Sequence, residues 1–125
     1  MEIKFDRNSA CMGDDIESHA VSFDINEEMS IEEFIKFLYK KPNVIAKISS
    51  GKATWILQLK NEDSYIDIAV FTEQMNYIKY FSKFQNQLTK IGEIAKVFNS
   101  TQFFAKYLGQ KDPDEVYKNL QELIF

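Results

Sequence analysis

Apolar and polar residues alternate in two short stretches near the start of the chain. Ile3 and Phe5 alternate with Glu2, Lys4 and Asp6, and Val21, Phe23 and Ile25 alternate with Ala20, Ser22 and Asp24. A period of two is that of a strand with one buried face, so both stretches are predicted strands. Between them, Arg7 to Ser18 is polar and small, with Gly13 ahead of Asp14 and Asp15, which reads as a long loop. The two strands are expected to pair antiparallel across it. The period then changes. Ile31, Phe34, Ile35 and Leu38 recur at helical spacing. Ser30 and Glu33 supply a capping box ahead of them, in which the hydroxyl accepts a backbone N–H and the glutamate reaches back. Lys40 and Lys41 suit the C-terminal end, and Pro42-Asn43 closes the helix.

Three runs of strand character follow. Val44 to Ile48 is short and β-branched, and Ser49-Ser50-Gly51-Lys52 is a turn. Ala53 to Lys60 places Trp55, Leu57 and Leu59 on one face. After the turn Asn61-Glu62-Asp63-Ser64, Tyr65 to Thr72 is almost wholly apolar or aromatic. The last two runs are predicted to form a hairpin with a four-residue loop, and their apolar density suits the centre of a sheet. Tyr77 to Phe81 fits a strand or the start of a helix equally well. From Lys83 onward, Phe84, Leu88, Ile91, Ala95 and Phe98 predict a helix that Gly92 weakens. Asn99-Ser100 breaks it, and Thr101 to Leu108 reads as helix again, capped by Gly109. Asp112-Pro113-Asp114-Glu115 opens a final helix, with Val116, Tyr117, Leu120, Leu123 and Ile124 on one apolar face. The order ββαβββ followed by helices predicts an α+β fold, a mostly antiparallel sheet with a helical C-terminal part, as a single domain over residues 1–125.

Composition supports one core. The 125 residues are 45% apolar and include eleven Phe, six Tyr and one Trp, enough to offset the entropy of folding and to exclude general disorder. No apolar run is long enough to span a bilayer, and the first residues lack the basic and apolar regions of a signal peptide. Cys11 stands alone and forms no intramolecular disulfide, so a cytoplasmic location is expected, with no membrane partner. Charge adds an asymmetry. Residues 1–33 hold ten acids against Lys4 and Arg7, whereas residues 34–125 hold nine acids and thirteen lysines. Acids gathered on one surface attract basic partners and repel nucleic acid; dispersed, they only solvate a face.

Several constellations of residues bear on chemistry. Cys11 and His19 share one region, and a nucleophile pair needs the imidazole in reach of the sulfur and a third group to orient it, for which Asp14, Asp15 or Glu17 stand nearby. Cys11 packed as a small hydrophobe is the plainer reading. The stretch from Gly13 to His19 offers three carboxylates to a hard cation, but lacks the spacing of an EF-hand and its final glutamate. Arg7, the only arginine, alternatively pairs with Asp14 or Asp15 and fixes the loop. Lys79, Lys83, Lys90 and Lys96 interleave with aromatic residues, yet helical spacing accounts for them as the solvated side of a core element. Walker, dinucleotide, zinc and esterase-elbow motifs are absent. Trp55, between apolar neighbours on a strand, belongs to the core. No enzyme, no catalytic residue, no metal and no cofactor are therefore expected.

The stretch Arg7-Asn8-Ser9-Ala10-Cys11-Met12-Gly13-Asp14-Asp15 resembles the R-x-S-x-C-x-G/A-D-D loop of a group of small bacterial proteins. In these a first strand, the loop, a strand, a helix and a Trp-containing hairpin follow in order, here ending with Trp55-Ile56-Leu57 and Ile68-Ala69-Val70-Phe71. The resemblance covers roughly residues 3–82. Some of these proteins resemble immunity proteins encoded beside polymorphic or contact-dependent growth-inhibition toxins. The resemblance implies a protein that binds and neutralises a cognate toxin, for which a nuclease is one candidate class, without chemistry of its own. The acids expected at such an interface are Asp14, Asp15, Glu17, Asp24, Glu27, Glu28, Glu62 and Asp63. The alternative is a small ligand- or metal-binding domain built on the 13–19 loop.

Overall fold

The computed structural model describes residues 1–8, 20–41, 44–45, 52–74, 77–81, 84 and 89–124. Within them the chain runs β1 (Glu2–Arg7), β2 (Val21–Asp24), α1 (Ile31–Lys40), β3 (Thr54–Asn61), β4 (Ser64–Thr72), β5 (Ile78–Tyr80), α2 (Ile91–Phe98), β6 (Gln102–Tyr107) and α3 (Pro113–Ile124). The six strands form one sheet in the order β2-β1-β6-β3-β4-β5. The α+β class stands as expected, but the sheet is mixed and the order is not ββαβββ followed only by helices. β1 and β6 run parallel, while β1–β2, β3–β4, β3–β6 and β4–β5 are antiparallel.

β6 is the main departure, because Thr101 to Leu108 reads as helix from its apolar spacing. It enters between β1 and β3, with Phe103 opposite both Phe5 and Leu59 and Ala105 opposite both Arg7 and Leu57. Phe103 and Ala105 are buried, and Gln102 and Lys106 are exposed. Phe104 takes the same face as Gln102 and Lys106, and this aromatic on the open side disguises the two-residue period. Two flanking strands with unpaired backbone groups outweigh a modest helical preference. Val44 and Ile45 also depart from the expected strand. They form a turn after α1, both buried, and the rest of that run lies outside the described residues.

Other elements form where the sequence places them. The capping box of α1 is complete: the Glu33 N–H donates to Ser30 Oγ at 3.1 Å, and the Ser30 N–H donates to Glu33 Oε1 at 3.4 Å. The β3–β4 hairpin turns through Glu62 and Asp63 alone, since Asn61 already pairs with Ser64. Ile78–Tyr80 adds β5 to that hairpin. The helix expected from Lys83 starts, in the described residues, at Ile91.

The core lies mainly between α1, α2 and the sheet face carrying Ile3, Phe5, Trp55, Leu57, Leu59 and Phe103. Phe34 of α1 packs on Phe103 with centroids 5.1 Å apart. Trp55 is fully buried against Tyr107, and its Nε1 makes no hydrogen bond. Arg7, expected to brace the loop, is itself buried and donates from Nε to the Val44 carbonyl at 2.8 Å. Asp14 and Asp15 lie outside the described residues.

α2 owes its position to Gly92. The Gly92 N–H donates to the Glu27 carbonyl at 2.9 Å, and a Cβ on Gly92 would sit 2.6 Å from Glu27 Cβ and 2.7 Å from its carbonyl oxygen. The residue that weakens the helix by propensity is the one that lets it dock. Gly92→Ala is expected to lower stability by about 2 kcal/mol despite alanine's better helix propensity, because backbone and Cβ cannot swing aside. Chemical denaturation followed by Trp55 fluorescence checks this, and an unchanged or raised midpoint contradicts it.

α3 covers the β4–β5 side of the other sheet face. Tyr117 stacks on Phe81 with centroids 5.1 Å apart, lies under the Lys79 ammonium at 4.3 Å, and donates its hydroxyl to the Tyr80 carbonyl at 3.0 Å. Beside it, Tyr77 donates to Asp114 Oδ1 at 3.3 Å. Burial, then the Asp114 carboxylate, push the Tyr77 phenol up to about 12 from an ordinary 10.0. The neutral phenol is thus favoured in the folded state, so its contribution is complete below about pH 10 and is lost as pH rises through about 12. Stability measured from about pH 9 upward is expected to fall more steeply in the native protein than in Tyr77→Phe.

Candidate interaction surface

The registers collect acids from distant parts of the chain at one end of the sheet. Glu2 pairs with Asp24, Lys4 with Gln102, Phe103 with Leu59, and Asn61 with Ser64. The starts of β1 and β6 and the ends of β2 and β3 therefore share a rim, which carries Glu2, Asp24, Glu62 and Asp63. Glu27 and Glu28 follow in the connection to α1, which is tied to this end by the Ile25 N–H donating to the Met1 carbonyl at 2.8 Å. Neighbouring strands are about 4.8 Å apart, so Asp24 and Glu62 stand about 14 Å from one another along the rim.

Part of this charge is committed locally. Asp24 accepts from the Met1 ammonium at 2.9 Å. Glu28 pairs with Lys90, whose hydrogen bond and charge hold the Glu28 carboxyl below its ordinary value and raise the Lys90 ammonium. Glu33 caps α1, and Glu32 faces Lys36 one turn on at 3.7 Å. Among the described residues, Glu2, Glu27, Glu62 and Asp63 are exposed and have no ion-pair partner. Of the eight acids expected at an interface, Asp24, Glu27, Glu28, Glu62 and Asp63 thus occupy one region. Asp14, Asp15 and Glu17 lie outside the described residues; Asn8 and Ala20, which flank them, sit at the opposite end of the sheet.

Glu62 carries a second peculiarity. Its φ is 55°, in the left-handed region that disfavours a side chain with Cβ. A polar hollow of 480 Å³ lined by Lys60, Asn61, Glu62 and Asn99 to Gln102 lies beside it, braced by the Ser100 hydroxyl donating to the Lys60 carbonyl.

A neighbouring surface was not foreseen from the sequence. The face of β1, β6 and β3 not covered by α3 shows Lys4, Asp6, Lys60, Tyr65, Gln102 and Phe104 around a 170 Å³ depression. Tyr65 packs on Phe104 at 5.3 Å and remains 46% exposed, and Gln58 donates to Asp67 at 2.7 Å below them. Reading β6 as helix hid this face, although the alternation of Gln102 and Lys106 with Phe103 and Ala105 was a usable signal.

No protein-family model, curated protein or solved structure matches the chain. Among the described residues there is no group of three or more His, Cys, Asp and Glu suited to a metal ion. Cys11, His19 and the 13–19 loop lie outside them. No described helix is long and apolar enough to cross a membrane.

The backbone at Glu62 generates a stability test. Asparagine tolerates positive φ better than glutamate, so Glu62→Asn is expected to raise stability by about 0.5–1 kcal/mol. A lowered denaturation midpoint would contradict the strain.

Proposed function

We propose that this protein is a non-catalytic cytoplasmic binding domain that neutralises a cognate toxin by docking on it, as an immunity protein does. The observation that carries the reading is the rim at which Glu2, Glu62 and Asp63 stand exposed without ion-pair partners among the described residues, with Glu27, likewise exposed, in the connection to α1. Uncommitted carboxylates at one end of a rigid sheet attract a basic surface, such as the phosphate-holding region of a nuclease. An inhibitor of that kind needs shape and charge, and no reacting group. Complementary charge speeds encounter, which matters when the toxin must be caught before it acts. The resemblance of the Arg7–Asp15 stretch to immunity proteins supports the same reading from a separate part of the chain.

The test is association with the toxin encoded beside this protein, measured by stopped flow at low and high salt. Glu62→Lys with Asp63→Lys is expected to slow association about tenfold at low ionic strength and much less at high. An on-rate insensitive to both salt and charge reversal would sink the electrostatic mechanism, and no complex at all would sink the function.

A further inference from the structure

The two outer strands of the sheet are finished differently. On the β5 side, Thr72 N–H donates to the Tyr77 carbonyl at 3.1 Å and Phe81 N–H to the Ile68 carbonyl at 3.0 Å, so Ile78 and Tyr80 turn their backbone groups outward. There α3 intervenes, and the outward Tyr80 carbonyl accepts the Tyr117 hydroxyl. On the β2 side, Met1 and Ile25 exchange both bonds: Ile25 N–H donates to the Met1 carbonyl at 2.8 Å, and the Met1 ammonium donates to the Ile25 carbonyl at 2.9 Å. Alternation makes Ile3–Phe23 and Phe5–Val21 the next bonded pairs and turns the N–H and C=O of Ser22 and Asp24 away from β1. The parity agrees on the far side of β1, where Lys4 N–H donates to the Thr101 carbonyl at 2.9 Å. Ser22 and Asp24 are exposed, as is Val21.

We propose that β2 receives an extended segment of a partner protein as an added strand, with basic and apolar residues alternating along it. The backbone of Ser22 and Asp24 supplies the ladder. On one face the incoming side chains lie beside Asp24, whose side chain is 86% exposed and pairs with the Met1 ammonium, and beyond it Glu2, which has no ion-pair partner among the described residues. The Glu2–Asp24 pair thus keeps one carboxylate in excess, which favours Lys or Arg. On the other they lie beside Val21 and Phe23, the latter packed edge-on against Phe37 at 5.4 Å, which favours an apolar residue. A second copy of this chain is a poorer occupant. Pairing β2 with itself would bring two acidic rims together in a chain of net charge −4. The inference rests on the protein-binding reading but fixes a particular edge and a particular partner chemistry.

The probe is a blocked peptide of alternating lysine and valine, with a glutamate–valine peptide as control, followed by amide hydrogen exchange and chemical shifts. The lysine peptide is expected to slow exchange at Ser22 and Asp24 about tenfold or more, and the glutamate peptide to leave them unchanged. Ser22→Pro removes an outward donor and leaves the β1 bonds intact, so it is expected to weaken binding at least about tenfold. Glu2→Lys, altered only at an exposed side chain with no ion-pair partner among the described residues, provides the same readout if the proline variant does not fold. Protection centred on Tyr65–Phe104 or on Glu62–Asp63, no protection anywhere, or a concentration-dependent dimer that protects the same amides without peptide each overturns the proposal. Toxin association that persists and responds to Glu62 and Asp63, with no protection at β2, removes this inference and leaves the proposed function standing.

Discussion

The sheet depends on β6 lying between β1 and β3. Without it, the chain holds two separate pieces: the β1–β2 pair and the β3–β4–β5 meander, each with an unpaired edge and half a core. β6 satisfies both edges at once, parallel to β1 and antiparallel to β3. Its buried side chains, Phe103 and Ala105, sit at the seam, and Phe34 of α1 closes over Phe103. The pairing of Phe5 with Phe103 joins residues almost a hundred positions apart, so the ordering cost of closing the chain falls before the central contacts form. The hairpin β3–β4 and the capped helix α1 are held by local contacts, whereas β6 is held by pairings with distant parts of the chain.

That order of dependence explains which parts of the fold were legible in the sequence. Ser30 and Glu33 announce α1 because a capping box acts within one turn, and Asn61 to Ser64 announces the hairpin for the same reason. Ile3 and Phe5 show the two-residue period cleanly because their sheet neighbours bury only one face; Val21 and Phe23 keep the period at the edge of the sheet, where Val21 is exposed and Phe23 half-buried. β6 was illegible because its identity is set by strands contributed from elsewhere, and because Phe104 puts an aromatic on the open face. By propensity Gly92 is a flaw in a helix, yet its missing Cβ is what allows the backbone of Glu27 to approach. In both cases the deciding neighbour lies far away in sequence, where periodicity carries no information.

The candidate surface divides along the same line. That the front of the chain is acidic is plain from composition, but composition does not distinguish a committed carboxylate from an uncommitted one. Glu33 is occupied by the cap, Glu28 by Lys90 and Asp24 by the Met1 ammonium. Only the registers bring Glu62 and Asp63, from the middle of the chain, to the rim that Glu2 occupies. The Tyr65–Phe104 face is invisible without β6, since its two aromatics come from strands on opposite sides of β3.

The same distribution of local commitments sets the character of the two sheet edges. α3 is fastened by Tyr117 and by Tyr77 with Asp114, contacts that combine ring stacking, a cation over a ring and a neutral phenol held by a carboxylate. Fastened there, it packs on the β4–β5 face and occupies the outward Tyr80 carbonyl, one of the groups by which an open edge invites strand pairing. Among the described residues nothing bonds the outward groups of β2, and brevity and charge limit what pairs with them. Four residues give a partner few bonds, and Asp24 beside Glu2 repels an acidic strand, including another copy of itself. An edge defended by charge remains selective toward opposite charge, whereas an edge whose outward carbonyl is already bonded, as that of Tyr80 is, offers fewer partners to a strand of either charge. The charge that sets this selectivity is that of Glu2, because the Met1 ammonium already answers Asp24, and Glu2 stands on the same rim as Glu62 and Asp63.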